Sequence, residues 1–244
     1  MKKALILILA LSLLLAACTP VSTQPETAPA VETTVLETTA APTTLPVDEP
    51  TEILPEPEDA DFVRVMDYLP SVFQELMYAT DRHFTGQAIY DFTDAYLRYG
   101  TVKKLAAVSE DLAEFGLALK IWDGFRPVSA QRRLWEVCPD PAYVANPNKG
   151  FSSHSRGNTV DLTLVDAAGN EVEMPTGFDD FSAKADRNYA DCTESAAAHA
   201  QMLEILMEKH GFSGYFQEWW HFSDTDSYPV EENFAPPANN SQHF

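Results

Sequence analysis

The sequence predicts one α+β domain over residues 58–244, and two patterns in the chain indicate this class. Apolar residues recur at helical spacing in several segments, whereas other short segments have the alternating or continuous apolar pattern of strands. The two kinds of segment do not alternate as regular βαβ units, and no segment repeats. We therefore expect a single compact domain with a small, mainly antiparallel sheet flanked by helices.

The helical segments have recognisable ends. Thr101 is expected to cap the second helix, and Gly116 is expected to end it, because glycine readily terminates helices. The pattern at the first segment is weaker than at the others. The predicted helices cover residues 71–78, 102–115, 129–137 and 194–210.

The predicted strands carry the polar residues that later matter for function. Residues 117–122 alternate as a strand and are followed directly by Asp-Gly-Phe-Arg-Pro. Residues 159–165 form a second strand that includes Asp161. Residues 212–222 are expected to form a final strand or hairpin.

The N-terminal residues predict export. Two lysines precede an apolar run, and small residues precede Cys18, which is the layout of a secretory signal over residues 1–17. Leu-Ala-Ala-Cys also resembles the lipobox of bacterial lipoproteins, which implies a lipid on Cys18; the alternative is an ordinary signal with a chance cysteine. Residues 18–57 are rich in Thr and Pro and are expected to form a disordered stalk. We expect a protein anchored at the outer face of the cytoplasmic membrane or in the periplasm.

Charge and cysteine content restrict the partners. The net charge of −21 argues against nucleic acid and against tightly held anionic wall polymers. Cys138 and Cys192 can form a disulfide in an oxidising compartment or remain free thiols. The sequence does not indicate whether the protein is a monomer or an oligomer.

Two short segments contain the side chains that a catalytic zinc requires. His154 and Asp161 lie in the first segment, and Glu218 and His221 lie in the second. Catalytic zinc takes three nitrogen or oxygen ligands and keeps a fourth position open. We predict that His154, Asp161 and His221 bind one Zn²⁺ per chain, with cobalt or manganese as alternatives. Glu218, flanked by tryptophan, is expected to act as the general base and acid.

Arg126 is the fourth predicted element of the site. Gly124 and Pro127 restrict the chain around it at a strand end. A guanidinium group there can stabilise the oxyanion that forms when water attacks a peptide carbonyl.

Four motifs in the same order resemble the VanX-type D-alanyl-D-alanine dipeptidases, zinc enzymes related to the VanY-type carboxypeptidases. The resemblance runs from about Asp67 to Phe222. It implies the metal and catalytic roles given above. The motifs are Tyr-Ala-Thr-x-x-x-Phe-Thr-Gly from residue 78, Trp-Asp-Gly-Phe-Arg-Pro from 122, Ser-Ser-His-Ser-Arg-Gly-x-x-x-Asp from 152 and Glu-Trp-Trp-His from 218.

The resemblance also implies residues that bind the substrate. Tyr78 is expected to line a pocket for a very small peptide, and Asp179 to hold its ammonium group, with Asp180 as an alternative. Ser152 or Ser153 is expected to meet its carboxylate.

The predicted function is zinc-dependent hydrolysis of D-alanyl-D-alanine or a similar small D,D-dipeptide, including peptides released from peptidoglycan, at the cell envelope. One alternative is a D,D-carboxypeptidase that trims terminal D-alanine from peptidoglycan stem peptides. Others are an amidase-type peptidoglycan hydrolase and a non-catalytic peptide-binding lipoprotein.

Overall fold

The computed structural model describes residues 56–238. Seven strands are present in this part of the chain: β1 Phe62–Arg64, β2 Phe73–Gln74, β3 Tyr96–Arg98, β4 Leu117–Asp123, β5 Thr159–Asp166, β6 Phe212–Tyr215 and β7 Glu218–Asp224. Five of them form the main sheet in the order β2-β4-β5-β7-β6, and β1 pairs with β3. Within the main sheet only β2 and β4 are parallel, which confirms the predicted, mainly antiparallel α+β fold.

The helices lie between these strands in the chain. They are α1 Val65–Tyr68, α2 Tyr99–Ala113, α3 Val128–Val137 and α4 Glu194–Lys209, with single 3-10 turns at Met77–Ala79, Ser153–Arg156 and Ala183–Ala185. Among residues 56–238, none of the helices has the length and apolar character needed to cross a membrane. Residues 1–55, which include Cys18, the predicted signal sequence and nearly all of the predicted stalk, lie outside the described residues.

The predicted cap at Thr101 is wrong. Helix α2 begins at Tyr99, two residues before Thr101, and Thr101 lies buried inside its first turn. Its hydroxyl donates a hydrogen bond to Asp224 Oδ2 at 2.8 Å. Asp224 is buried, and a buried carboxylate without hydrogen-bond donors destabilises the fold. The Thr101 hydroxyl therefore binds Asp224 instead of capping the helix. Gly116 does end the helical segment, with a φ of +70°.

The predicted helix at residues 71–78 is also wrong. Phe73 and Gln74 instead pair in parallel with β4, and Glu75 N donates to Ile121 O at 2.8 Å. The unpaired edge of β4 offers backbone hydrogen bonds that a weakly periodic segment satisfies better as a short strand.

The core lies on both sides of β4 and β5. Helix α2 packs against β4, and α4 packs against β6 and β7. Trp219 and Trp220 are each 1% exposed, so both tryptophans of the Glu-Trp-Trp-His segment pack in the interior. Cys138 and Cys192 are free thiols in the described part of the chain. This packing fixes the positions of the polar residues at the strand ends.

Candidate active site

Adjacent strands bring the three predicted ligands together. Asp161 in β5 is paired in register with His221 in β7, and His154 lies on the 3-10 turn just before β5. Asp161 Oδ1 is 2.9 Å from His221 Nδ1, and Asp161 Oδ2 is 3.4 Å from His154 Nε2. The three donor atoms lie within 4.8 Å of one another.

The orientation of His154 suits metal binding. Its Nδ1 is 2.9 Å from the Gly124 carbonyl oxygen, so Nδ1–H donates there and Nε2 presents its lone pair to the cluster. Ser152 Oγ accepts a hydrogen bond from His154 N and holds the turn. Gly157 ends the turn with a φ of +76°, where a Cβ would overlap the Phe62 ring.

The carboxylate of Asp161 lies between the two imidazole rings of the cluster. Burial raises the pKa of Asp161, but the neighbouring His154 and His221 outweigh that effect and hold the pKa below its usual range. The carboxylate is therefore ionised, which is the form in which a carboxylate binds a metal ion. Two nitrogens and one oxygen facing a cavity match the ligand set of a catalytic zinc site.

Glu218 lies beside this cluster but outside the group of three donors. It is the first residue of β7, and its Oε2 is 3.6 Å from His221 Nδ1. Burial raises the pKa of Glu218 above its usual range. A carboxylate with a raised pKa next to a candidate metal site can accept and return a proton near neutral pH.

Arg126 is held by a buried network and faces the same cavity. Its Nε and Nη2 donate to Asp123 Oδ2 at 3.0 and 2.6 Å, and its Nη1 donates to Gln131 Oε1 at 3.0 Å. Of the five guanidinium N–H groups, these bonds to described residues use three. Nη2 is 4.0 Å from Asp161 Oδ2, so the guanidinium adjoins the ligand cluster.

The predicted substrate-binding residues line the same cavity, apart from the alternative Asp180. Tyr78, Ser152, Ser153 and Asp179 are among its walls. Tyr78 OH donates to Asp179 Oδ1 at 3.4 Å, whereas Asp179 Oδ2 is buried without a hydrogen-bond partner among residues 56–238. Burial, together with the charge of Asp161, raises the pKa of Asp179 well above its usual range. Asp180 instead caps the backbone of Ser182.

The cavity has partly exposed aromatic side chains among its walls. Its volume is about 550 Å³. Tyr143, Phe151 and Tyr215 line it, and about half of each of these side chains is exposed. We call these three residues the aromatic rim.

Comparison with known proteins assigns the family. A sequence model of the peptidase M15 family, described as D-ala-D-ala dipeptidase, matches residues 58–239. The chain belongs to the peptidase M15 family. This membership confirms the resemblance and the predicted enzyme class, a zinc metallopeptidase.

Individual relatives of this M15 peptidase carry the same description. A D-alanyl-D-alanine dipeptidase of Escherichia coli (strain K12) is 37% identical over 163 residues, which is 66% of this chain and 84% of the relative. One from Enterococcus faecalis (strain ATCC 700802 / V583) is 32% identical over 197 residues, covering 71% of this chain and 97% of the relative. A zinc-bound variant of the vancomycin resistance D,D-pentapeptidase VanY matches at a TM-score of 0.37 and 14% identity, over 54% of this chain and 74% of that one; this similarity is too low for the two sites to be compared.

Sequence reasoning missed one buried residue of this M15 site. Besides binding Arg126, Asp123 accepts hydrogen bonds from Tyr90 OH at 2.7 Å and from Gly124 N at 2.9 Å, and its Oδ2 is 3.5 Å from His154 Nδ1. It thereby joins the arginine to the first histidine. An acidic residue at the end of an otherwise apolar strand was the available signal, because a buried carboxylate requires partners.

Proposed function

We propose that this M15 peptidase hydrolyses D-alanyl-D-alanine or a similarly small D,D-dipeptide, with His154, Asp161 and His221 holding one zinc ion. The observation that carries the proposal is a single cavity that contains this ligand set, Glu218, Arg126 and the unpartnered carboxylate oxygen of Asp179. Bound zinc supplies a Lewis acid and lowers the pKa of water.

The side chains divide the remaining work. Glu218 takes a proton from the attacking water and returns it to the leaving amine. Arg126, whose guanidinium group adjoins the ligand cluster, donates to the oxygen that gains negative charge as the carbonyl becomes tetrahedral. Asp179 binds the ammonium group of the substrate, because a cation stabilises a carboxylate whose Oδ2 is otherwise buried without a partner among the described residues. Tyr78 orients Asp179, and Ser152 and Ser153 lie where they can donate to the substrate carboxylate.

A D,D-carboxypeptidase acting on stem peptides is the second candidate. The aromatic rim and the volume of about 550 Å³ favour it, because cavities of this size accommodate ligands larger than a dipeptide. Asp179 favours the dipeptidase, since a peptide extended at its amino end brings no ammonium group to that carboxylate.

A substrate comparison tests the proposal. We expect the purified full-length protein to hydrolyse D-alanyl-D-alanine with a much higher kcat/KM than N-acetyl-D-alanyl-D-alanine or a stem pentapeptide. A chelator should remove the activity, and zinc should restore it. A preference for the pentapeptide would favour the carboxypeptidase, clearing of sacculi would favour the amidase, and peptide binding without turnover would favour the binding lipoprotein.

Asp179→Asn tests the ammonium site. Loss of a charge-assisted hydrogen bond in a buried site removes about 1.5–3 kcal/mol, so the KM for D-alanyl-D-alanine should rise about tenfold or more. The kcat/KM values for the dipeptide and for its N-acetyl derivative should become more alike. Asp180→Asn is the matched control and should leave the kcat/KM values for both substrates unchanged, because Asp180 caps a loop outside the cavity walls. Equal effects of the two variants would remove Asp179 from the proposal.

We also propose that the enzyme acts at the cell envelope, on dipeptides or other small peptides derived from peptidoglycan. The support is the sequence of residues 1–57, with its charged start, apolar run, Cys18 and Thr/Pro-rich segment. Metabolic labelling with a radioactive fatty acid should label the wild-type chain and leave the Cys18→Ser variant unlabelled.

A further inference from the structure

A single arginine outside the cavity walls binds the hairpin that carries Glu218 and His221. Arg187 Nε donates to Tyr215 O at 2.9 Å, and Nη2 donates to Trp219 O at 3.1 Å and to His221 O at 2.9 Å. Its backbone N donates to Phe216 O at 2.9 Å. The side chain is only 5% exposed.

These carbonyl groups lie where the strand ladder is interrupted. The β6–β7 ladder pairs Gly214 with Phe222 and then Tyr215 with Glu218, so residues 219–221 have no partner on β6. Buried carbonyl groups without a partner destabilise a fold. Arg187 supplies the missing donors at the irregularity that directs Glu218 and His221 towards one cavity.

The guanidinium group is itself fixed on several sides. Glu204 Oε1 forms an ion pair with Nη1 at 3.3 Å, although Nη1 makes no hydrogen bond to a described residue, and Tyr189 OH donates to the other Glu204 oxygen at 2.7 Å. The Phe222 ring centre is 4.3 Å from Arg187 Cζ. Gly214 provides the space, because a Cβ at that position would overlap the guanidinium group.

We infer that Arg187 is a positioning residue of the active site, which sets the relative placement of Glu218 and His221 by bridging the irregular hairpin. The inference rests on the proposed function for the identity of the reaction. The expected effect of Arg187 on metal binding does not depend on the substrate. Groups that orient metal ligands commonly affect metal affinity or activity by about 10–100-fold. Lysine cannot replace arginine here, because one ammonium group cannot reproduce the planar arrangement of donors.

Arg187→Lys and Gly214→Ala test the inference by two routes, since the first removes donors and the second displaces the guanidinium group. We expect both to weaken zinc binding to the full-length chain about tenfold or more, measured by competition with a chromogenic chelator. The zinc-saturated variants should show a kcat lowered by about tenfold or more and a KM within about twofold of the wild-type value. Added guanidinium, but not methylammonium, should partly restore kcat to Arg187→Ala.

Val108→Ala separates positioning from general destabilisation. Val108 is fully buried on α2, and its truncation leaves a cavity without removing donors from the hairpin. It should lower the melting temperature while zinc affinity and kcat stay near wild type. The inference is overturned if Arg187→Lys keeps wild-type zinc affinity and kcat, or if Val108→Ala lowers both as much at an equal loss of stability. If the wild-type chain does not hydrolyse the dipeptide but its zinc affinity still depends on Arg187, the proposed substrate is wrong and the inference about Arg187 stands.

Discussion

Glu218→Gln is expected to lower kcat for D-alanyl-D-alanine by about 10²–10⁴-fold while zinc stays bound. The amide keeps the volume of the side chain but cannot accept the proton of the attacking water, and general acid–base catalysis contributes about that factor. Glu218 lies outside the group of three donor atoms formed by His154, Asp161 and His221. Zinc content, measured by mass spectrometry of the purified protein, should therefore match the wild type.

Thermal unfolding of the metal-free Glu218→Gln variant tests whether Glu218 is a buried carboxylate with a raised pKa. Burial raises the pKa of Glu218 in the folded chain above its value in the unfolded chain. The free energy of unfolding of the wild type therefore decreases as the pH rises above the unfolded-state pKa and through the folded-state pKa. The uncharged amide avoids this loss, and the variant should unfold at a temperature no lower than wild type at neutral pH. Glu208→Gln, an exposed change on α4, should keep full activity. If Glu218→Gln retains most of its activity or loses its zinc, the assignment of Glu218 as proton carrier is wrong.

The sequence predicted the elements whose signal is local. Helices α3 and α4 and strands β4 and β5 follow from spacing within each segment, and Gly116 ends the α2 segment at a backbone angle that favours glycine. The grouping of His154, Asp161 and His221 did not follow from spacing alone. It was predicted from the residue types that a catalytic zinc requires and was also implied by the four motifs, and the pairing of β5 with β7 supplies its structural cause.

Contacts between distant parts of the chain escaped sequence reasoning. The hydrogen bond of Thr101 joins residues 123 positions apart, and that of Tyr78 to Asp179 joins residues 101 apart. Periodicity reports which face of an element is buried but not which distant polar group meets it. Arg187 illustrates the same limit, because its role depends on a ladder irregularity that no local pattern indicates. The side chains that line the candidate site could be named from sequence, but the residues that hold them could not.

Arg126→Lys is expected to lower kcat/KM for D-alanyl-D-alanine by about 10²–10³-fold, with most of the change in kcat. Removal of one donor to a developing oxyanion has an effect of this size. Lysine keeps the positive charge near Asp123, so that buried carboxylate retains an ion pair. The guanidinium group binds both Asp123 and Gln131, and an ammonium group cannot keep these two contacts and also donate to the oxyanion in the same geometry.

Measurements at saturating and at limiting substrate distinguish this role from a structural one. A residue that stabilises only the transition state lowers kcat and kcat/KM together, whereas one that binds the ground state equally well raises KM instead. Arg132→Lys, on the exposed side of α3, is the matched control and should leave both constants unchanged. If Arg126→Lys changes only KM, the guanidinium group binds substrate without contributing to the chemical step. Stabilisation of the tetrahedral oxygen would then fall to the zinc site alone, and the network of Asp123, Tyr90 and Gln131 would serve to hold a substrate-binding arginine.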